Sequence, residues 1–231
     1  MADIITDVEK LSGRAEEINI KKERPLLNET ILKIKGTIRE NSLTGLAANQ
    51  IGINKRVMCV NFNGDIRTFI NPVIIDSKGF DLSKETCSSI PDKKYIRPRG
   101  TRVVLCYQTP MDKVETREFV GLAAKVVQHT VDHLDGVLLS DIGLEVDGQF
   151  ERATEENKAK IIKMYLDALD IRTKDAKEEL SDDEDAKKMY DASKFIESVQ
   201  KGEVTITPTN LGVEQLEEKF GKEETTNDSA D

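Results

Sequence analysis

Apolar residues along this chain recur with two different periods, and the places where one gives way to the other mark the elements. Over residues 4–19 and again over 27–41 they return at i, i+3 and i+4, which gathers side chains on one face of an α-helix. In the second stretch Leu27, Ile31, Ile34 and Ile38 make one continuous stripe, as a helix laid on a core requires. Val57 to Asn61, Thr68 to Ile75 and Thr101 to Tyr107 are rich in β-branched residues or alternate with period two, and are predicted strands. Arg117 to Leu122 reads as a further strand end. Leu122 to Gly136 returns to helical spacing and stops at Gly136, a residue suited to the left-handed turn that closes a helix. Gly45 to Gly52, rich in small residues, is expected as a loop or strand edge where backbone approaches another element closely.

After Gly148 the texture changes. Thr154 to Leu169 is an amphipathic helix whose apolar face is Ile161, Ile162, Tyr165, Leu166 and Leu169. The acidic run Asp182 to Asp185 is expected to open a second helix running to about Val199, since carboxylates favour a helix N-terminus. Gly202 would end it. A short strand over Val204 to Thr207 and a short helix over Val213 to Phe220 follow, and the polar residues from Lys222 onward lack the apolar surface to order themselves. The chain thus divides into a domain over 1–150, a helical extension over 151–201 and an acidic tail over 202–231.

Charge sharpens that division. Residues 1–150 hold 21 basic and 21 acidic side chains, whereas residues 151–231 hold 13 and 22, so the whole net charge of -9 lies in the C-terminal part. An acidic appendage repels nucleic acid phosphates and suits a protein partner, so no nucleic acid partner is expected. No apolar run approaches the roughly 18 residues that a membrane span needs, and no membrane partner is expected. The first residues, MADIITDVEK, lack the basic start and apolar stretch of a secretory signal. Three cysteines, an odd number, argue for reduced thiols and a cytoplasmic location over a disulfide framework.

The candidate chemistry lies in the histidines. The chain has two, His129 and His133, four residues apart on a predicted helix, so both imidazoles share one face and can reach one metal ion. In the metallohydrolase form of such a helix a proton-handling Glu follows the first His; here that residue is Thr130. A metal site needs a third ligand, and Cys87, in the polar, turn-like Glu85-Thr86-Cys87-Ser88-Ser89-Ile90-Pro91, is the best candidate. Cys59 and Cys106 lie between apolar neighbours in predicted strands and read as core residues. Glu85 reads equally as a partner of Arg99 or as a solvated surface acid.

TGLAANQIG, ETCSSIP and QHTVDHLDG resemble, in order and spacing, the three signature motifs of the peptide deformylases, GxGLAAxQ, EGCLS and QHExDH. FINPVI before the second motif and Pro98-Arg99 after it agree, and the likeness covers about residues 4–150. It implies an α+β fold: mixed β-sheets around a central metal-binding helix, with the acidic helical extension added at the C-terminal end. It also implies that Cys87, His129 and His133 bind iron(II), or zinc or nickel in its place. Gln50 and the backbone N–H of Ser88 would stabilise an oxyanion while the formyl group of an N-formylmethionyl peptide is hydrolysed.

The departures from the family pattern are as specific as the matches. Thr130 stands where the family has its acid–base Glu, and a hydroxyl is too weakly acidic to cycle a proton at neutral pH. Asp132 does not replace it, because its position on the helix turns it off the metal face. Leu43 and Thr86 replace family glycines and should narrow the channel, Ser88 replaces a leucine, and Lys125 puts a charge at a usually apolar position. That charge needs water or a carboxylate. The leading expectation is therefore a metal-binding pseudoenzyme with impaired or lost catalysis, reused as an interaction or structural component of an assembly such as a bacteriophage particle. Its site would be the host cytoplasm or the virion, and its acidic C-terminal region would face the partner. The alternative is an active or slow peptide deformylase.

Overall fold

The computed structural model describes residues 2–182 and 207–208. Two helices bracket a sheet. The short α1 (Val8–Leu11) is followed by α2 (Arg24–Glu40), which carries the predicted stripe, with Leu27, Ile34 and Ile38 fully buried. Strands β1 (Gly45–Ala47), β2 (Val57–Phe62) and β3 (Asp65–Lys78) come next, with a single 3-10 turn over Ala48–Ile51 between the first two. Then come β4 (Asp81–Cys87), β5 (Ile90–Arg99), β6 (Arg102–Gln108) and β7 (Val114–Val120). The long α3 (Gly121–Leu134) precedes α4 (Leu139–Ile142), β8 (Leu144–Glu145), α5 (Gly148–Arg152), α6 (Glu155–Asp182) and the two-residue β9 (Thr207–Pro208).

One sheet has the order β1-β2-β3-β6-β7-β9 and the other β4-β5-β8; the pairings are antiparallel except β7 with β9. The first sheet is therefore mixed, through the β9 pairing alone, and the second is antiparallel, where mixed sheets were expected; the fold is α+β, as expected. Alternation on β2 shows why both its faces are apolar. Met58, Val60 and Phe62 pack with Phe69, Leu105 and Phe119 against Ala124, Val127, Val131 and Leu134 of α3. Val57 and Cys59 face the other way, onto Leu27, Ile34 and Ile38 of α2. A strand covered on both faces reads as an unbroken apolar run, as the first four residues of VMCVNF do.

Hydrogen bonds pin α3 at its middle and at its C-terminal end. The Gln128 amide donates to the Gly100 carbonyl and accepts from the Gly100 N–H, both at 2.9 Å. At the C-terminal end the orphan carbonyls of the last turn find partners. Asn49 Nδ2 donates to the His133 carbonyl at 2.5 Å, and the Leu134 carbonyl accepts from the Ala15 N–H at 2.8 Å and from Arg56 Nη1 at 3.1 Å. Gly136 closes the helix at φ +74 with the Ser12 backbone directly against it, a place no side chain could occupy.

Two expectations need correction. The helix over 4–19 contracts to α1: Ile5, Ala15 and Arg56 bind Gln50, Leu134 and Glu16 through backbone hydrogen bonds, so this segment spends its donors and acceptors on other elements. The stretch around Cys87 turns as expected, at Ser88–Ser89, between the paired strands β4 and β5. The helix expected to stop at Leu169 runs on to Asp182, through a Lys-, Glu- and Ala-rich segment without Gly or Pro to end it. Beyond its first residue, the helix expected over 182–199 lies outside the described residues, as do the helix over 213–220 and the tail from 222. No helix among the described residues is long and apolar enough to cross a membrane.

Candidate metal centre

The two histidines and Cys87 meet where α3 passes the end of β4. Donor atoms of Cys87, His129 and His133 all lie within 4.8 Å of one another. Cys87 Sγ is 3.2 Å from His133 Nε2. His129 uses its Nδ1 toward Glu85 Oε2 at 2.9 Å, which leaves Nε2 for the centre. The i, i+4 spacing turns both imidazoles to one side of the helix. Burial alone would raise the Cys87 thiol and lower the His129 imidazole. Their mutual attraction wins, aided by His133 on the first and Glu85 on the second: the thiol falls to about 5 and the imidazole rises to about 9. The cluster so prefers an anionic sulfur, the form a metal ligand needs. Cys59 and Cys106, by contrast, are pushed up to about 11 by burial in the core.

A chain of charges fixes the outer imidazole. Arg99, almost wholly buried, donates from Nε and Nη2 to the two Glu85 oxygens at 2.7 and 2.8 Å, and from Nη1 to Asp132 Oδ2 at 2.5 Å. Asp132 also binds Arg97. Burial would raise the Glu85 carboxyl, but Arg99 and His129 hold it far below the usual carboxylate range. Glu85 is thus the orienting partner of His129 and no surface acid, while Asp132 lies off the metal face, as its helix position predicted. The role of Glu85 escapes sequence reasoning because a β-strand acid next to a buried Arg looks the same as one in water. His133 Nδ1 is buried with no hydrogen-bond partner.

The cluster lies at one side of a cleft of about 420 Å³. One wall is β1 with the residues before it, the other is β4, and the floor is the exposed side of α3. β1 and β4 each end their sheet among the described residues, so the cleft runs between two strand edges. Gln50 is 3 % exposed and held at both ends of its amide: Oε1 accepts from the Ala47 N–H at 3.0 Å and Nε2 donates to Ser89 Oγ at 3.1 Å. Ser89, a second residue missed in the sequence, thus aims the amide; Ser88 lines the cleft beside it on the hairpin turn. Thr130, 1 % exposed, gives its hydroxyl to the Val126 carbonyl at 2.8 Å, the back-bond available to any helical threonine. Opposite it, a Cβ on Gly45 would lie 2.6 Å from Thr130 Oγ1, so Gly45 is the close approach that the small-residue segment predicted. Leu43 and Thr86 line the cleft, and Lys125 has found its carboxylate, with Nζ 2.6 Å from Asp81 Oδ2.

A buried cysteine with two imidazoles on a helix, beside a groove between strand edges, is a group able to hold a metal ion. The family model described as polypeptide deformylase matches residues 1–144, more than half of the chain, and the chain belongs to the peptide deformylase family. A peptide deformylase from Dictyoglomus turgidum is 29% identical over 145 residues, covering 62% of this chain and 95% of that protein. The crystal structure of peptide deformylase from Thermotoga maritima superposes with a TM-score of 0.57 at 30% identity, covering 61% of this chain and 96% of that one. A probable peptide deformylase from Synechococcus phage S-SSM7 gives 0.53 at 30%, over 61% and 99%. The family is metal-dependent, and Cys87, His129 and His133 form a group able to hold an ion.

Proposed function

We propose that the protein is a slow peptide deformylase that removes the formyl group from N-formylated peptides. The observation that carries this reading is the convergence of Cys87, His129 and His133 beside a Gln50 amide held at both ends. A site that had only to bind a metal would not need that amide. The donor set fits iron(II), zinc or nickel better than a hard cation, since it offers a thiolate and two imidazoles and no oxygen. When bound, such an ion supplies Lewis-acid chemistry, lowering the pKa of water and polarising a carbonyl.

The chain's own residues do the rest. An extended peptide fits a groove between the edges of β1 and β4, where unpaired backbone groups can continue either sheet. Gln50 Nε2 has two N–H groups; one is held by Ser89 Oγ, and the other is free for the oxygen that gains charge as the formyl carbon becomes tetrahedral. The backbone N–H of Ser88, at the hairpin turn, is the second donor. Glu85 keeps His129 in the tautomer that presents Nε2. Thr130 cannot take up and return the proton that the leaving amine requires, which is why turnover is slow.

Formate release from a formyl-methionyl tripeptide tests this directly, using protein loaded anaerobically with iron or nickel. Wild type should bind about one metal per chain and release formate, and Cys87→Ala should do neither. Metal binding without formate release would reject the enzyme. It would favour the second reading that Thr130 also supports, a metal-holding interaction protein whose acidic stretch beyond residue 150 meets a basic partner. Gln50→Leu, which keeps the volume and loses the donor, should lower kcat by about 100- to 1,000-fold with little change in KM.

A further inference from the structure

We propose that Asn49 is a positioning residue of this centre: it closes a ring of contacts that sets the Gln50 amide against the metal-binding group. The inference rests on the metal-dependent reading above. Asn49 and Gln50 are neighbours on the 3-10 turn Ala48–Ile51, and both are buried. Asn49 Nδ2 donates to the His133 carbonyl at 2.5 Å, and His133 Nε2 lies 3.2 Å from Cys87 Sγ. Two residues after Cys87, Ser89 Oγ accepts from Gln50 Nε2 at 3.1 Å. The ring runs from Asn49 through His133, Cys87 and Ser89 to Gln50 and back, three noncovalent contacts joined by short lengths of backbone.

The two histidines are held in different ways, and Asn49 supplies what the second lacks. Glu85 holds the His129 ring at Nδ1, whereas His133 Nδ1 is buried without a partner among the described residues. The orientation of His133 therefore depends on how its backbone is gripped. The turn that does the gripping is stiff: Gly52 and Ile53 donate back to the Asn49 and Ala48 carbonyls at 3.1 and 3.0 Å, and Gln50 Oε1 accepts from the Ala47 N–H at 3.0 Å. Helix capping does not account for an asparagine here. The His133 carbonyl already accepts from the Gly136 N–H at 3.2 Å. Asn49 Oδ1 is itself buried without a partner among the described residues, a destabilising feature that an apolar side chain would avoid.

The test compares wild type, Asn49→Ala, Asn49→Ser and, as a control, Asn71→Ala, which removes an asparagine bonded to Ile18 and Gln108 instead. Cobalt(II) affinity and the thiolate-to-cobalt absorption are read first, since neither needs turnover. Both Asn49 variants should bind cobalt about 10- to 100-fold more weakly, with the absorption shifted, and Asn71→Ala should match wild type. Formate release from a formyl-methionyl tripeptide at saturating metal is read second. Asn49→Ala should lower kcat about 10- to 100-fold with KM little changed. In a Gln50→Leu background the same substitution should cost far less, because no donor remains to be aimed. Asn49 variants with wild-type cobalt affinity and absorption, or an equal loss in Asn71→Ala, overturn the ring, while formate release by wild type leaves the deformylase reading standing. An undiminished effect in the Gln50→Leu background also overturns it. Cobalt binding that needs Asn49, with no formate from any protein, supports the ring and rejects the enzyme.

Discussion

Thr130→Glu is expected to raise kcat for formate release by about 100- to 10,000-fold, the usual worth of a positioned acid–base group. Everything else that the chemistry needs is grouped around this position. His129 precedes it, the Gln50 amide is held by Ala47 and Ser89, and the Thr130 side chain borders the cleft itself. The threonine hydroxyl is engaged by the Val126 carbonyl and is not poised for proton transfer. Gly45, opposite, has no side chain, and a Cβ there would already press on Thr130 Oγ1 at 2.6 Å. The longer side chain of a glutamate must therefore pass this narrow point and put its carboxylate into the cleft. The measurement is steady-state formate release by both proteins at equal metal content. Equal rates would mean that protons travel by another route and that Thr130 does not limit turnover. A gain in kcat with KM nearly constant is the pattern expected of a group that acts in the transition state and not in binding.

How much of this was legible beforehand depended on whether a pattern was local. The α2 stripe and α3 were readable because each is a long element with one buried face, and Gly45 and Gly136 because a close approach or a left-handed turn leaves a glycine in the sequence. Spacing put His129 and His133 on one face, and family motifs added Cys87 and Gln50. The segment over 4–19 misled because Leu11, Ala15 and Ile18 are buried for tertiary reasons: Ala15 packs with residues of α3 and Ile18 with residues of α2, and the segment's amides bind other elements. The turn-like reading of ETCSS holds at Ser88–Ser89, but the pairing of Glu85 to Cys87 with β5 was not legible in its polar residues. The Glu85–Arg99 pair was one of two readings open to the sequence, but nothing in a one-dimensional pattern tells Glu85 that His129, forty-four residues on, is its other neighbour. Such partners come together only when α3 is laid across two strands of a second sheet.

That charge chain is where the largest loss of stability is expected. Arg99→Leu should destabilise the fold by about 3–5 kcal/mol, because it leaves Glu85 and part of Asp132 buried without their counter-charge. In a domain of this size the melting temperature should fall by about 10 °C, measured by a thermal melt at pH 7. Glu85→Gln in the same protein should recover part of the loss, since the uncompensated charge is then gone; a double mutant no more stable than the single one would argue against the mechanism. The sign of the pH dependence follows from Glu85. Its carboxyl is depressed in the folded state, so its stabilising effect is present above the ordinary glutamate pKa near 4.5 and is lost as the pH falls through the folded value. Wild type should accordingly lose stability on acidification more steeply than Arg99→Leu, whose Glu85 no longer has the guanidinium to depress it. The same substitution loosens the partner of His129 Nδ1, so metal affinity should fall by about 10- to 100-fold although no ligand has been touched. The buried arginine thus joins two properties that are usually separate: it holds β5 to β4 and α3, and through Glu85 it sets which nitrogen of His129 faces the metal centre.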